Sequence, residues 1–476
     1  MLPRYGILSQ DEVQSIQHAS ARILSEVGVR VHHDEVLERL AGAGADVDEE
    51  RGTAKISEDL LMDSLQKAGK SYTLYGRDGS RAARIGSGDV VTMSSPGQYS
   101  WVDPVHKTRR EPTSEDTRKA ILVGDALEHI SIVGAMTQPV DVPTPIRDIW
   151  LTAELVKGTK KPTRCWIANG QSAAYVLEIY KAVAGGAEQL CARPQIEAFV
   201  EPISPLQMPR TGMEILLEFT RCGLPVSYGP MVQAGATGPV TLAGTLAQEA
   251  AENLAGIVIA QVLRPGTPVM FGGICHIIDM RSSLISFGSP EQGLMAVAMV
   301  QVARAYGLPV YINAGLTDSS LVDAQAGLEK GMLFLLGALA GGDLIAHLGI
   351  AGADQGASLP QLVVDNEMVA YVKRVLHSFK VNNLTLAVDV IMELGHAGHH
   401  LAHPHTLAHF RQEFWIPTMW ERRNWDTWMG DGGKSMVERA TERVDEILRT
   451  QKPEPIDEAL EREIDNIVES AKRHLM

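Results

Sequence analysis

Two kinds of hydrophobic pattern alternate along this chain. Short continuous apolar runs recur at residues 90–94, 131–136, 164–168, 196–200, 225–230, 268–272, 309–314 and 343–348. Between them lie segments with apolar positions three and four apart, for example SEDTRKAILVGDALEH, PIRDIWLTAELVKG, TGMEILLEFTRCG and PVTLAGTLAQEAAENLAGIVIAQVL. A run that is apolar at every position fits a parallel strand covered by helices on both faces, and the intervening spacing fits the covering helices. Eight strands alternating with helices predict an α/β fold, a (β/α)8 TIM barrel over residues 86–380. A doubly wound open sheet would carry a glycine-rich dinucleotide loop after its first strand, and the chain has none.

The same reading divides the rest. Residues 9–70 show helical spacing, with Ser9 and Ser57 as N-caps and Gly28 and Gly69 as stops, followed by a hairpin around residues 76–79. Residues 1–85 are therefore expected to form an N-terminal helical cap with a hairpin. Residues 381–476 are expected to form a C-terminal helical extension packed on the barrel, its tail split by Pro453 and Pro455.

Composition narrows the function classes. A formal net charge of −15 opposes nucleic acid or an anionic membrane surface as partner, since both require a basic footprint. Four scattered cysteines with no CxxC suggest neither a disulfide framework nor a cysteine zinc site, which fits a reducing cytoplasm. No apolar stretch approaches the ~20 residues needed to span a bilayer, and the first residues lack a signal-peptide pattern.

Barrel enzymes keep their chemistry at the carboxyl ends of the strands. The residues expected there include the aromatics Tyr99, Trp101, Trp166, Tyr228 and Phe271, the polar groups His276, Asn313, His347, Asp354 and Gln355, and the carboxylate Glu201. Few cations are among them. Aromatic faces beside a carboxylate suit a quaternary ammonium and serve phosphate poorly. The histidine run 396–409 has spacings that could place two ligands on one face. It lacks a nearby cysteine and an HExxH, however, so a structural role or closure over the barrel mouth is expected and no metal. GxSxG is absent, and MGDGGKSM has Trp428 where a P-loop needs its first glycine.

Four segments carry a family resemblance: AGATGPVTLAGTLAQEAAENLAGIVIAQ (234–261), NAGLTDSSLVDAQAGLEKG (313–331), QLVVDNE (361–367) and HTLAHFRQEFWIPTMWERRNW (405–425). With them the chain resembles the trimethylamine methyltransferase family, and more closely its members without pyrrolysine, such as glycine betaine methyltransferases. The resemblance implies a barrel enzyme of methylamine metabolism. Such an enzyme moves a methyl group from a methylated amine to cob(I)alamin, the Co(I) corrinoid carried by a partner protein, and binds no tight cofactor of its own. It also implies a pyrrolysine position that falls, within a residue or two, at Gln355, so a quaternary amine of the glycine betaine type is the expected substrate.

In the resulting assignment His347, Gln355 and Glu201 are catalytic, while Tyr99, Trp101, Trp166, Tyr228, Phe271, His276 and Asn313 bind substrate. The expected assembly is a cytoplasmic homo-oligomer. The competing readings are a betaine-binding or sensing protein without turnover, and a barrel lyase or hydrolase using Glu201 or His347 as base.

Overall fold

The computed structural model describes residues 4–396 and 398–476. The fold is α/β, built on a curled parallel sheet. Its strands are β1 Val91–Ser94, β2 Val133–Gly134, β3 Thr163–Arg164, β4 Ala198–Val200, β5 Val226–Tyr228, β6 Val269–Gly273, β7 Val310–Ile312 and β8 Leu344–Leu348. Parallel ladders run through β4-β5-β6-β7-β8-β1 and through β2-β3, and the bridge Met93↔Ile132 links the two groups. Each strand overlaps the apolar run that predicted it. β2 is shorter than its run because the chain beyond Gly134 bonds instead to the loop after β1, Met136 N–H donating to Ser95 O (2.9 Å) and Gln98 N–H to Met136 O (3.0 Å).

A helix follows every strand: α1 Ser114–Ala126, α2 Arg147–Gly158, α3 Gly170–Ala184, α4 Arg210–Arg221, α5 Leu242–Leu263, α6 Pro290–Ala305, α7 Ala324–Ala340 and α8 Leu359–Leu376. Thr113, Asn169, Ser289 and Asp323 cap four of them, each side chain accepting an N–H of the first turn. α5 is apolar on all sides, and it is buried on all sides. The sheet covers one flank, and helices Gln10–Arg22, Asp34–Gly42 and Glu58–Lys67 cover the other.

The N-terminal region is less helical than its spacing predicted. Val29–Val31, Asp46–Asp48 and Thr53–Lys55 form a small sheet with Gln207–Met208. Gly28, at φ +78°, turns the chain out of its helix and into the first of these strands, whose two valines are buried. The expected hairpin is present as Tyr72–Tyr75 paired with Ala82–Ile85. Its Leu74, Ala83 and Ile85 pack against Val91, Met93, Ile132, Met270 and Leu344, plugging the interior at the amino ends of the strands. Helix Met436–Thr450 lies on α8 and α1, and helix Glu458–Leu475 on α2 and α3. No helix among the described residues is long and apolar enough to cross a membrane.

Candidate active site

The floor of the curled sheet is charged and paired. Arg164 on β3 donates to Glu197 Oε1 (2.5 Å) and Ser227 Oγ (3.0 Å), and Tyr72 of the hairpin donates to the other Glu197 oxygen. The Arg164 guanidinium lies 4.5 Å from the Phe199 ring centroid and 5.7 Å from that of Tyr311. Its charge is spent on these partners, since a buried cation persists only when paired.

Above the floor an aromatic wall rises through contacts between neighbouring strands. Trp166 packs on Phe199 (centroids 5.3 Å) and Phe199 on Tyr311 (5.4 Å), while His347 meets Trp166 and Tyr311 edge-on at 6.1 and 6.4 Å. Trp166 is fixed by donating its indole N–H to Gly97 O (3.1 Å). Tyr311 Oη and His347 Nε2 stand 3.3 Å apart. Burial, together with the nearby Arg164 and Lys330 charges, lowers the His347 pKa to about 3, so its ring is neutral. With Tyr311 O–H as donor, the His347 proton sits on Nδ1, which has no hydrogen-bond partner and faces Asp354 Oδ1 at 3.8 Å.

Two carboxylates complete the constellation. Glu201 follows β4 and its side chain is open to solvent, yet protein encloses it on its flanks and desolvation raises its pKa to about 7. Asp354, in the loop after β8, is raised to about 7 by burial and by the charge of Glu201, against the hydrogen bond it accepts from Gln98 Nε2 (2.6 Å). Two carboxyl groups that share one space resist simultaneous ionisation, and the Arg164 and Lys330 charges offset this only in part.

A backbone irregularity brings His347 into this space. β8 pairs Ile345 with Thr92 and then Leu348 with Ser94, so one extra residue bulges out of register, and His347 adopts φ +68°. Asp365 on α8 pins the bulge, its Oδ2 accepting from Gly349 N–H (2.7 Å) and from Lys330 Nζ (2.8 Å). Lys330 in turn donates to Gly315 O (2.7 Å) in the loop after β7. Both members of the pair are almost wholly buried.

Of the expected residues, Trp166, Glu201 and His347 come together here. Phe199, Tyr311 and Asp354 join them; Phe199 and Tyr311 lay inside predicted strands and were not singled out. Tyr228 and Phe271 do not belong to the wall. Both are fully buried on the outer face of the sheet, Tyr228 so close to α5 that a Cβ on Gly256 would lie 2.3 Å from its ring. Trp101 is occupied by the Arg110 guanidinium at 5.7 Å, and Tyr99 stands 73% exposed with no aromatic neighbour among the described residues. Gln355 points outward, accepting from Arg109 Nη1 (3.2 Å) beside a shallow cavity of about 140 Å³.

His276, expected as a donor, uses its Nδ1 proton on Ile274 O (3.3 Å), and burial lowers its pKa to about 4, so Nε2 is a bare lone pair. Asn313 is buried, its backbone carbonyl accepting from Gln292 Nε2 (2.9 Å) and its side-chain Oδ1 unpartnered. The histidine run does not close over the mouth. The helix containing its end is tied by Arg374 Nη2 to Glu413 O (2.5 Å) at the terminus of α8 remote from the strand tips. Among the described residues no three His, Cys, Asp or Glu side chains group as metal ligands.

Comparison with known proteins sets this geometry in context. The profile of the trimethylamine methyltransferase (MTTB) family matches residues 1–475. Trimethylamine methyltransferase MttB of Desulfitobacterium hafniense (strain DSM 10664 / DCB-2) is 31% identical over 464 residues, covering 98% of this chain and 93% of that protein. Glycine betaine methyltransferase of D. hafniense (strain Y51) is 30% identical over 462 residues, covering 96% and 95%. Among solved structures, the Methanosarcina barkeri monomethylamine methyltransferase (MtmB) superposes with a TM-score of 0.55 at 12% identity, covering 99% of this chain and 88% of that one, a likeness of fold alone.

Proposed function

The chain belongs to the trimethylamine methyltransferase (MTTB) family and is a methyltransferase, and on that footing we propose that its methyl donor is a quaternary ammonium compound of the betaine type and its acceptor the Co(I) corrinoid of a separate protein. The observation that carries the donor assignment is the wall of Trp166, Phe199 and Tyr311 facing Glu201 and Asp354, with the Arg164 charge already paired. Aromatic faces and carboxylates together hold a permanent cation. With Glu201 and Asp354 both near 7, one of them readily keeps a proton at neutral pH. His347 Nδ1–H and Asn313 are the groups that meet a substrate carboxylate.

The reaction needs little from the protein beyond placement. Co(I) attacks a methyl carbon with its electron pair, the C–N bond breaks with its pair remaining on nitrogen, and the amine leaves neutral, so no general acid is required. Holding the methyl in line in a site shielded from water is the main task, and such orientation is worth ~7 kcal/mol or more. The resemblance puts the pyrrolysine position within a residue or two of Gln355, so Gln355 and its neighbour Asp354 stand in that stretch, which separates this site from enzymes that rely on pyrrolysine.

The same footing supports closure of the sheet into a complete (β/α)8 barrel, with residues 1–85 and 381–476 as its extensions. Among the described residues no ladder joins β3 to β4, but the Arg164–Glu197 pair spans that joint. The test is spectroscopic: glycine betaine, proline betaine, carnitine, choline and trimethylamine are each offered with free cob(I)alamin while methylcobalamin formation is followed. At least one quaternary amine should react and trimethylamine poorly. Turnover of trimethylamine with no quaternary amine accepted would overturn the assignment.

A further inference from the structure

A cation beneath an aromatic ring and a cation above it compete for the same π electrons, and the floor of this site already holds the first of them. The Arg164 guanidinium lies 4.5 Å from the Phe199 centroid and 5.7 Å from that of Tyr311, two rings of the wall. Its side chain is 4% exposed and that of Glu197 1%, so water screens neither charge well. The Arg164 charge is felt in the space above. It acts against the desolvation that raises Glu201 to about 7, and it adds to the burial that lowers His347 to about 3. A quaternary ammonium bound in that space meets the same repulsion.

Glu197 is the countercharge. Among the described residues it is the one carboxylate in ion-pair contact with Arg164. Burial by itself favours the protonated, neutral acid and raises the Glu197 pKa, while the Arg164 charge and the Tyr72 O–H oppose that rise. Tyr72 lies in the N-terminal hairpin, outside the strands that carry the wall. Glu197 lies two residues before Phe199 and on the same face of its strand, so hairpin, carboxylate, guanidinium and ring form one stack under the substrate space.

We infer, on the footing of a quaternary-amine donor, that Glu197 held by Tyr72 is a positioning residue for charge: by cancelling Arg164 beneath Phe199 and Tyr311, it lets the wall take a cation. The experiment is calorimetry on the full chain with two pairs of ligands, each a cation and its carbon isostere: glycine betaine against the anion of tert-butylacetic acid, and choline against neohexanol. Each isostere keeps the rest of the molecule, so the ratio of affinities, cation over isostere, isolates the ammonium; a purely structural loss lowers both affinities and leaves the ratio alone. Glu197→Gln should lower the ratio by on the order of tenfold, and Tyr72→Phe should lower it less. Arg164→Met/Glu197→Gln, with an uncharged floor, should restore it, and such a replacement of a buried pair is often tolerated by the fold. Should Glu197→Gln fail to fold by circular dichroism, Tyr72→Phe and the double variant carry the test. Single variants with the parent's ratio, or a double variant whose ratio stays low, would overturn the inference and leave the donor reading standing. A parent that binds cation and isostere alike in both pairs would overturn the donor reading and this inference with it.

Discussion

The strand tips on two sides of the sheet make a useful contrast. Through β3, β4, β7 and β8 the tips present Trp166, Phe199, Glu201, Tyr311 and His347 to a common space, whereas through β5 and β6 the large side chains Tyr228 and Phe271 turn outward under helices. Both sides have aromatic residues at strand ends. What separates them is parity, because successive strand residues point to opposite faces. Arg164, Glu197, Phe199, Ser227, Met270 and Tyr311 point inward, so their neighbours Tyr228 and Phe271 point out. His347 follows two inward residues of β8, Leu344 and Ala346, and by parity should point outward; the bulge alone reverses it.

The strongest way to break this contrast is to release the bulge. Lys330→Met leaves Asp365 as an unpaired buried charge beneath His347, and breaking such a pair costs on the order of 3 kcal/mol or more. Denaturant unfolding should show that loss. Substrate affinity in the folded fraction should fall as well, since Asp365 then holds Gly349 without its counter-ion. A variant with the parent's unfolding midpoint would show that the pair does not support the site.

Next in size is the comparison of the two kinds of aromatic. Trp166→Ala should weaken binding of a quaternary ammonium by about 2 kcal/mol, roughly thirty-fold in Kd, because a desolvated cation–π contact is lost. Tyr228→Phe should leave Kd unchanged, since its ring lies against α5. Calorimetry with the preferred quaternary amine decides between them: equal losses in the two variants would erase the distinction drawn from parity.

Much of this was legible in the sequence. The eight apolar runs and the spacing between them fixed the order of strands and helices, because burial on both faces leaves a mark that needs no alignment. The N-terminal strands were hidden, being only three residues each and set among helix-forming neighbours. For the site, position at a strand end was read correctly for Trp166, Glu201 and His347, but face was not read at all. A signal existed: Arg164, Glu197 and Ser227 are polar intrusions into otherwise apolar strands, and counting by twos from them selects Trp166, Phe199 and Glu201 while rejecting Tyr228. The bulge at His347 has no such signal, because a left-handed histidine is imposed by the pairing of β8 with β1 and by Asp365, both distant in the chain.

The paired carboxylates give a pH dependence of intermediate size. In the free protein Glu201 and Asp354 both have pKa values raised to about 7, and a bound cation favours their charged forms, so binding lowers both values and expels protons. Affinity should therefore rise with pH through the neutral region and level off once both are ionised, by on the order of tenfold between pH 6 and pH 8. Calorimetry in buffers of different ionisation enthalpy should register the released protons, and Asp354→Asn should flatten the profile. An affinity independent of pH would place the cation elsewhere.

The smallest expected effect is the sharpest on position. Gln355 and Asp354 are adjacent, and either could stand at the pyrrolysine position. Gln355 is exposed and its side-chain oxygen accepts from Arg109, outside the aromatic wall, whereas Asp354 accepts from Gln98 and faces His347. The turn that separates them is built from left-handed residues, Ala353 at φ +51° and Asp354 at φ +66°, which aim one side chain inward and the next outward. Gln355→Ala should thus change substrate affinity by less than about 0.5 kcal/mol, as expected for a surface substitution. Asp354→Asn, measured beside it at pH 8, should weaken binding through loss of a charge. If Gln355→Ala weakens binding as much as Asp354→Asn does, the loop presents the opposite face to the substrate, and Gln355 takes the role assigned here to Asp354.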